Sequence, residues 1–155
     1  MSALAHERSG ISEVAGLISQ LAQVVALAKR TQKNGRPASE DPAIRRRLAK
    51  ADAIIEGMRL NGQRSLTKQL KGEKLSSETS INKLHRAFLA IEFGDLALVI
   101  VGSASQYTEK LGQADDDLGG WVSGALGWPA VVIGGGTPNI QRNIIAERIL
   151  GLPKD

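Results

Sequence analysis

Cysteine is absent from the 155-residue chain. That removes thiol nucleophiles, disulfides and thiolate metal sites together, and it suits a reducing, cytoplasmic setting. Histidine is nearly absent: His6 and His85 lie far apart, and neither falls into a metal-ligand spacing, so no metal is expected. Aromatic residues make up 3% of the chain, which leaves no stacking platform for bases, and a net charge of +4 does not by itself make a nucleic-acid site. Long apolar runs are missing as well. The strongest, Leu96 to Gly102, is far shorter than the roughly 20 residues a helix needs to span a bilayer, and it reads as core. The opening residues Met1 to Arg8 lack the basic start and apolar run of a signal peptide. Neither a membrane nor a nucleic-acid partner is expected. A chain of this length fits one domain, residues 1–155, and can bury a core without a metal or disulfide.

What is present is helical periodicity. Ile11, Val14, Ala15, Ile18, Leu21, Ala22, Val25 and Ala28 recur at helical spacing, with Leu17, Val24 and Leu27 widening the stripe. Lys29, Arg30 and Lys33 suit the C-terminal end of this helix, and Asn34-Gly35 is expected to stop it. A second helix should start at Asp41-Pro42, a capping residue followed by proline at the first helical position, and run to about Leu70. Its core face is Ile44, Leu48, Ala51, Ile55 and Met58; Arg45, Arg46 and Arg47 read as a solvated or subunit-facing patch. A third helix should start near Glu78, amphipathic through Ile81, Leu84, Phe88 and Ile91 and apolar on nearly every side beyond Phe93. His85 reads as a packing residue on it. Asp115, Asp116 and Asp117, followed by Gly119-Gly120, read as a solvated loop, and Trp121 and Trp128 as two large groups docked by a short helix or turn. The last helix is expected over Pro138 to Leu150. No stretch alternates long enough to predict a strand. The fold class is all-α: an antiparallel, four-helix up-and-down bundle with a short extra helical segment before the C-terminal helix.

The segment before that last helix, Ile133-Gly134-Gly135-Gly136-Thr137-Pro138-Asn139, is where chemistry enters. Three glycines let the backbone approach a partner, Thr137 can cap a helix, and Pro138 suits the first helical position. The exposed helix start favours an anionic or strongly hydrogen-bonding ligand. The same pattern also serves as an ordinary helix cap, and on the residues alone both readings stand.

The run Gly135-Gly136-Thr137-Pro138-Asn139-Ile140-Gln141-Arg142-Asn143-Ile144-Ile145-Ala146-Glu147-Arg148-Ile149-Leu150-Gly151-Leu152-Pro153 resembles the C-terminal signature of acyl-CoA dehydrogenases. Helix order and the glycine turn also resemble that family's C-terminal helical domain. The family's N-terminal helical and middle β-domains have no counterpart in this sequence. The resemblance implies α,β-dehydrogenation of an acyl-CoA thioester, in which a carboxylate removes the α-proton and the β-hydrogen leaves as hydride to FAD. It implies FAD contact at Gly136, Thr137, Pro138 and Asn139. In many members the base is a glutamate just before the Gly-Thr of this turn, a position that is Gly135 here. In relatives resembling isovaleryl-CoA and long-chain acyl-CoA dehydrogenases it comes instead from a Glu-Arg dipeptide at the start of the domain's first long helix. Glu7-Arg8 with Gly135 matches that second pattern, so Glu7 is the candidate base. Two family patterns are altered: Arg-x-x-Phe-Gly after the first helix reads Arg30-Thr31-Gln32-Lys33-Asn34-Gly35, and Gln-x-x-Gly-Gly after the third reads Val99-Ile100-Val101-Gly102-Ser103. The implied function is a C-terminal domain or split subunit of an FAD-dependent acyl-CoA dehydrogenase, inactive alone, with a homo- or hetero-oligomer formed through the bundle. The alternative is a non-catalytic assembly subunit of such an oligomer.

Overall fold

The computed structural model describes residues 11–73, 77, 79–106 and 118–154. Its helices are α1 (Ile11–Arg30), α2 (Pro42–Leu70), α3 (Thr79–Val101), α4 (Leu118–Gly127), α5 (Pro129–Ile133) and α6 (Pro138–Arg148). Short 3-10 turns cover Ala38–Glu40 and Gly102–Gln106. The all-α class and the four main helices agree with the sequence, and the expected extra segment is two short helices, α4 and α5. At the centre, α3 touches each of the other five helices. Its side chains Leu89, Phe93, Leu96, Ala97 and Ile100 are buried against Val24 and Leu27 of α1 and Ile44, Ile55 and Met58 of α2.

The capping residues act as their chemistry requires. The Asp41 carboxylate accepts from the Ala43 N–H at 2.8 Å and the Ile44 N–H at 3.4 Å, which satisfies two orphan donors at the start of α2. At the other end Gly72 takes φ +74°, its N–H donates to the Gln69 carbonyl, and the Glu73 N–H reaches back to the Lys68 carbonyl. This is the left-handed glycine closure that leaves few C-terminal carbonyls unpaired.

Four expectations need correction. First, α1 ends at Arg30, and Asn34-Gly35 does not simply stop a helix. Both residues have positive φ, +55° and +76°, and they turn a small antiparallel hairpin that pairs Gln32 with Pro37 and Lys33 with Arg36. Asn-Gly is the dipeptide best suited to that two-residue turn, and it outweighs the weak strand propensity of its flanks.

Second, the core face of α1 is Val14, Leu17, Val24, Leu27 and Ala28, with Ala15, Ile18 and Ala22 exposed. Two overlapping stripes fit the helical period, and packing selects the bulkier one. Third, Phe88 and Ile91 each remain 48% exposed, because the buried line of α3 runs through Asn82, Ala87, Leu89 and Phe93. Fourth, Arg47 is not part of a solvated patch. Its guanidinium donates to Glu92 and Asp95 of α3, each at 2.6 Å, and these bonds hold it above the ordinary arginine pKa against partial burial.

Polar contacts also set the α2–α3 register. Asn82, 7% exposed, donates to the Met58 carbonyl at 3.1 Å and accepts from Asn61 at 2.8 Å. A buried amide satisfied on both sides tolerates no sliding of the two helices without loss of those bonds.

Candidate functional site

The site grows from one close contact. Gly94 on α3 has no side chain because Trp128 lies against it: a Cβ there would stand 2.5 Å from Trp128 Cε3 and 3.2 Å from the Ala125 backbone. Trp121 is buried and meets Trp128 edge-to-face, ring centroids 6.1 Å apart at 88°. The two indoles dock α4 and the junction with α5 onto α3, as the sequence anticipated for Trp121 and Trp128. That docking delivers the end of α5 to a fixed place. The glycine run begins there.

Gly134 leaves α5 with φ −62° and ψ 135°, after which Gly135 and Gly136 take φ +70° and +102°, a left-handed pair that side chains resist. Thr137 follows in extended geometry, and its hydroxyl oxygen accepts from the Ile140 N–H at 3.5 Å, a long capping bond. Pro138 opens α6 as expected. Gly134, Gly135, Thr137 and Asn139 are exposed, with Gly136 and Pro138 half-buried. The turn therefore presents backbone, the Thr137 hydroxyl and the Asn139 amide to the outside.

Two side chains grip the turn. From α6, the buried Gln141 donates its side-chain N–H to the Gly135 carbonyl at 3.4 Å, and a Cβ on Gly136 would come within 2.7 Å of that amide nitrogen. From α3, Lys83 Nζ donates to the Val131 carbonyl at 3.3 Å, while its Cε and Nζ lie 3.5 and 3.6 Å from where a Gly135 Cβ would be. The ammonium of Lys83 is pulled below the ordinary lysine pKa, mainly by burial and then by the neighbouring Arg86, with Glu13 opposing. One turn along α3, Arg86 donates to the Glu13 carboxylate of α1 at 2.6 Å. Thus the N-terminal end of α1, the start of α3 and the glycine turn meet in one region.

On the outer side, Asn139 Oδ1 accepts from Arg142 at 2.9 Å, and the Arg142 guanidinium sits 5.7 Å from the Phe88 ring centroid. Phe88, on the outward face of α3, thus has a cation near its ring.

Of the sequence candidates, Gly136, Thr137, Pro138 and Asn139 form one continuous surface at the start of α6. Glu7 lies outside the described residues, as do Asp115, Asp116 and Asp117. His85 is half-buried on α3. Sequence reasoning missed Lys83, Gln141 and the Glu13–Arg86 pair. Gln141 carried a signal, since it stands four residues after the Thr137 cap and so on the same face. Lys83 carried none, because its neighbours in space come from segments some fifty residues away in sequence. Among the described residues no group of three or more His, Cys, Asp or Glu could hold a metal ion, and no helix is long and apolar enough to cross a membrane.

Comparison with known proteins places this geometry. The family model for the acyl-CoA dehydrogenase C-terminal domain matches residues 1–150. Acyl-CoA dehydrogenase IpdE1 of Mycobacterium tuberculosis is 34% identical over 158 aligned positions, covering all of this chain and 38% of that protein. Its namesake in Mycolicibacterium smegmatis is also 34% identical, with 36% of that protein covered. Among solved structures, the ChsE4–ChsE5 complex of M. tuberculosis superimposes with a TM-score of 0.72 at 25% identity, over 98% of this chain and 39% of that one. The FAD complex of PigA gives 0.70 at 27% identity, over 90% and 34%. The chain thus spans less than two-fifths of the length of the curated relatives it matches. With its helices in that order and its glycine turn set against α3, the chain belongs to the acyl-CoA dehydrogenase family, of which it represents the C-terminal helical domain.

Proposed function

We propose that this chain works as the C-terminal domain or split subunit of an FAD-dependent acyl-CoA dehydrogenase, in the cytoplasm, and that it is inactive alone. The observation that carries the reading is the turn at residues 134–137. Its two left-handed glycines, exposed backbone and Thr137 hydroxyl suit the hydrogen-bonding edge of a flavin nucleotide, and side chains at 135 and 136 would meet Lys83 and Gln141 and disturb that backbone. Gly136, Thr137, Pro138 and Asn139 would hold the cofactor, whose contribution when bound is to accept hydride from the β-carbon of an acyl-CoA. An FAD complex of PigA among the structural relatives supports the assignment.

The residues of this chain supply the proton half of the reaction. A carboxylate must take the α-proton as the thioester α-carbon becomes enolate-like, and it does so best in a water-poor place that raises its pKa. Gly135 brings no side chain to the turn, so the base falls to Glu7. The bonding of Glu13 to Arg86, next to Lys83 and the turn, supports this, because it keeps the N-terminal end of α1 on the same side of α3 as the glycines.

The test is absorbance and turnover. The purified 155-residue chain should show no flavin band and no acyl-CoA oxidation, and both should appear when N-terminal helical and β-domains of the family are supplied in trans or in fusion. Flavin and turnover in the chain alone would overturn the reading.

A second reading, a non-catalytic assembly subunit, has its own support. The segment after α1 forms a hairpin over residues 32–37 without the family's phenylalanine, and the relatives include a two-component complex, ChsE4–ChsE5. An oligomer built through the bundle that never raises the activity of its partners would favour it.

A further inference from the structure

The glycine turn is held from two sides by residues to which no role has been given. We propose that Lys83 is a positioning residue for this turn, clamping it from α3 while Gln141 clamps it from α6. The proposal rests on the turn being the flavin side of the site, and it adds how that surface is kept in shape.

Three observations carry it. The Val131 carbonyl is in the last turn of α5, where helix carbonyls have lost their ordinary partners, and Lys83 Nζ reaches it at 3.3 Å. The side chain crosses directly over Gly135, whose missing Cβ would be 3.5 Å from Cε and 3.6 Å from Nζ. On the opposite flank Gln141 donates to the Gly135 carbonyl itself. A two-glycine turn has more backbone freedom than any other and would otherwise lose most entropy on ordering. Two side-chain bonds, from helices that are separately packed, restrict it at its entrance and its midpoint. Glu13 is bonded to Arg86 and supports the Lys83 charge only through space, so among the described residues the one direct bond of the ammonium is the one it donates to the Val131 carbonyl.

The arrangement has a consequence for the position where many relatives carry the base. A glutamate at 135 would need left-handed backbone and would lie beside an ammonium, which holds a carboxylate ionised and weakly basic. Lys83 and Gly135 are in this sense one unit, and that unit directs the base elsewhere.

The test uses amide hydrogen exchange on the full 155-residue chain and flavin binding on the assembled enzyme. Lys83→Met keeps the aliphatic stem and removes the donor. Loss of one such bond should speed exchange at the Gly134 amide, which donates to the Ala130 carbonyl at 3.2 Å where α5 ends, by about tenfold while leaving Phe93 and Leu96 in the core of α3 unchanged. Lys83→Gln, which keeps a donor, should restore part of the protection. Gln141→Leu should loosen the same amide from the α6 side, and it stands in if the lysine variant does not fold. In the assembled enzyme Lys83→Met should raise the FAD dissociation constant by a similar factor, about tenfold, without altering the melting temperature of the flavin-free form. Unchanged exchange at the turn, or an equal acceleration throughout α3, would overturn the clamp. A loosened turn with unaltered flavin affinity would instead contradict the flavin assignment of the turn.

Discussion

Replacing Gly94 by alanine tests the packing on which the site is built. A helix interior ordinarily gains roughly 0.5–1 kcal/mol from glycine to alanine, because the backbone entropy lost on folding is smaller. At Gly94 the added methyl would sit 2.5 Å from Trp128 Cε3 and 2.9 Å from Cζ3, with the Ala125 backbone at 3.2 Å closing the other side. The indole is rigid and already packed edge-on against Trp121, so relief requires α4 and α5 to move off α3. Overpacking costs about 1–3 kcal/mol, and a methyl 2.5 Å from a rigid ring belongs in the upper half of that range, so against the propensity gain the net loss is about 1–2.5 kcal/mol. In a chain of this size each kcal/mol lowers the melting temperature by about 2–4 °C. Gly16→Ala in α1 and Gly57→Ala in α2 are the controls: both glycines are exposed and a Cβ meets nothing within 4 Å, so both variants should gain about 0.5–1 kcal/mol. Urea denaturation followed by far-UV dichroism measures all three, and near-UV dichroism of the tryptophans reports the displaced indole. A Gly94→Ala protein as stable as the parent, or more so, would refute the seating of Trp128 on α3.

Asn82→Leu should destabilise the fold by about 1–3 kcal/mol in the same denaturation assay, because the buried bond to the Met58 carbonyl and the half-buried bond from Asn61 are both lost. Arg47→Met should loosen α2 from α3 by about 1 kcal/mol, and the loss should shrink when Glu92 and Asp95 are both neutralised, as a double-mutant cycle would report. Asp41 gives a pH signature. Its carboxyl is held below its ordinary value, first by the Ala43 N–H and then by Lys33, so the contribution of its charge is fully present above the unfolded pKa and disappears as pH falls through the lower folded value. The stability difference between the parent and Asp41→Ala should therefore be constant near neutrality and shrink in strong acid, where only a neutral acceptor remains. A difference that does not change with pH would contradict the charged cap.

Much of this molecule was legible in its residues, for reasons that differ by element. Asp41-Pro42 and Thr137-Pro138 announced helix starts because a capping oxygen followed by proline leaves the chain few other conformations. Faces were harder. On α1 the residues Ala15, Ile18 and Ala22 keep helical spacing as well as Val14, Leu17 and Val24 do, and only the neighbours decide which set is buried. On α3 the pattern through Phe88 and Ile91 was apolar yet outward, since the buried line runs through Asn82, Ala87, Leu89 and Phe93. The Asn34-Gly35 hairpin was hidden because its strands are two residues each, too short to show a period. At the site, the glycines and the Thr137 cap were local signals. The clamp by Lys83 and the tie between Glu13 and Arg86 were not, since each joins segments distant in the chain.

We propose Glu7, at the opposite end of the chain from the glycine turn, as the proton-abstracting carboxylate. Glu7→Gln in the enzyme assembled with its flavin- and acyl-binding domains tests it most directly, with the flavin absorbance band followed after addition of an acyl-CoA. The variant should keep its flavin, and the band should no longer bleach. Bleaching at the parent rate would show that the base lies elsewhere.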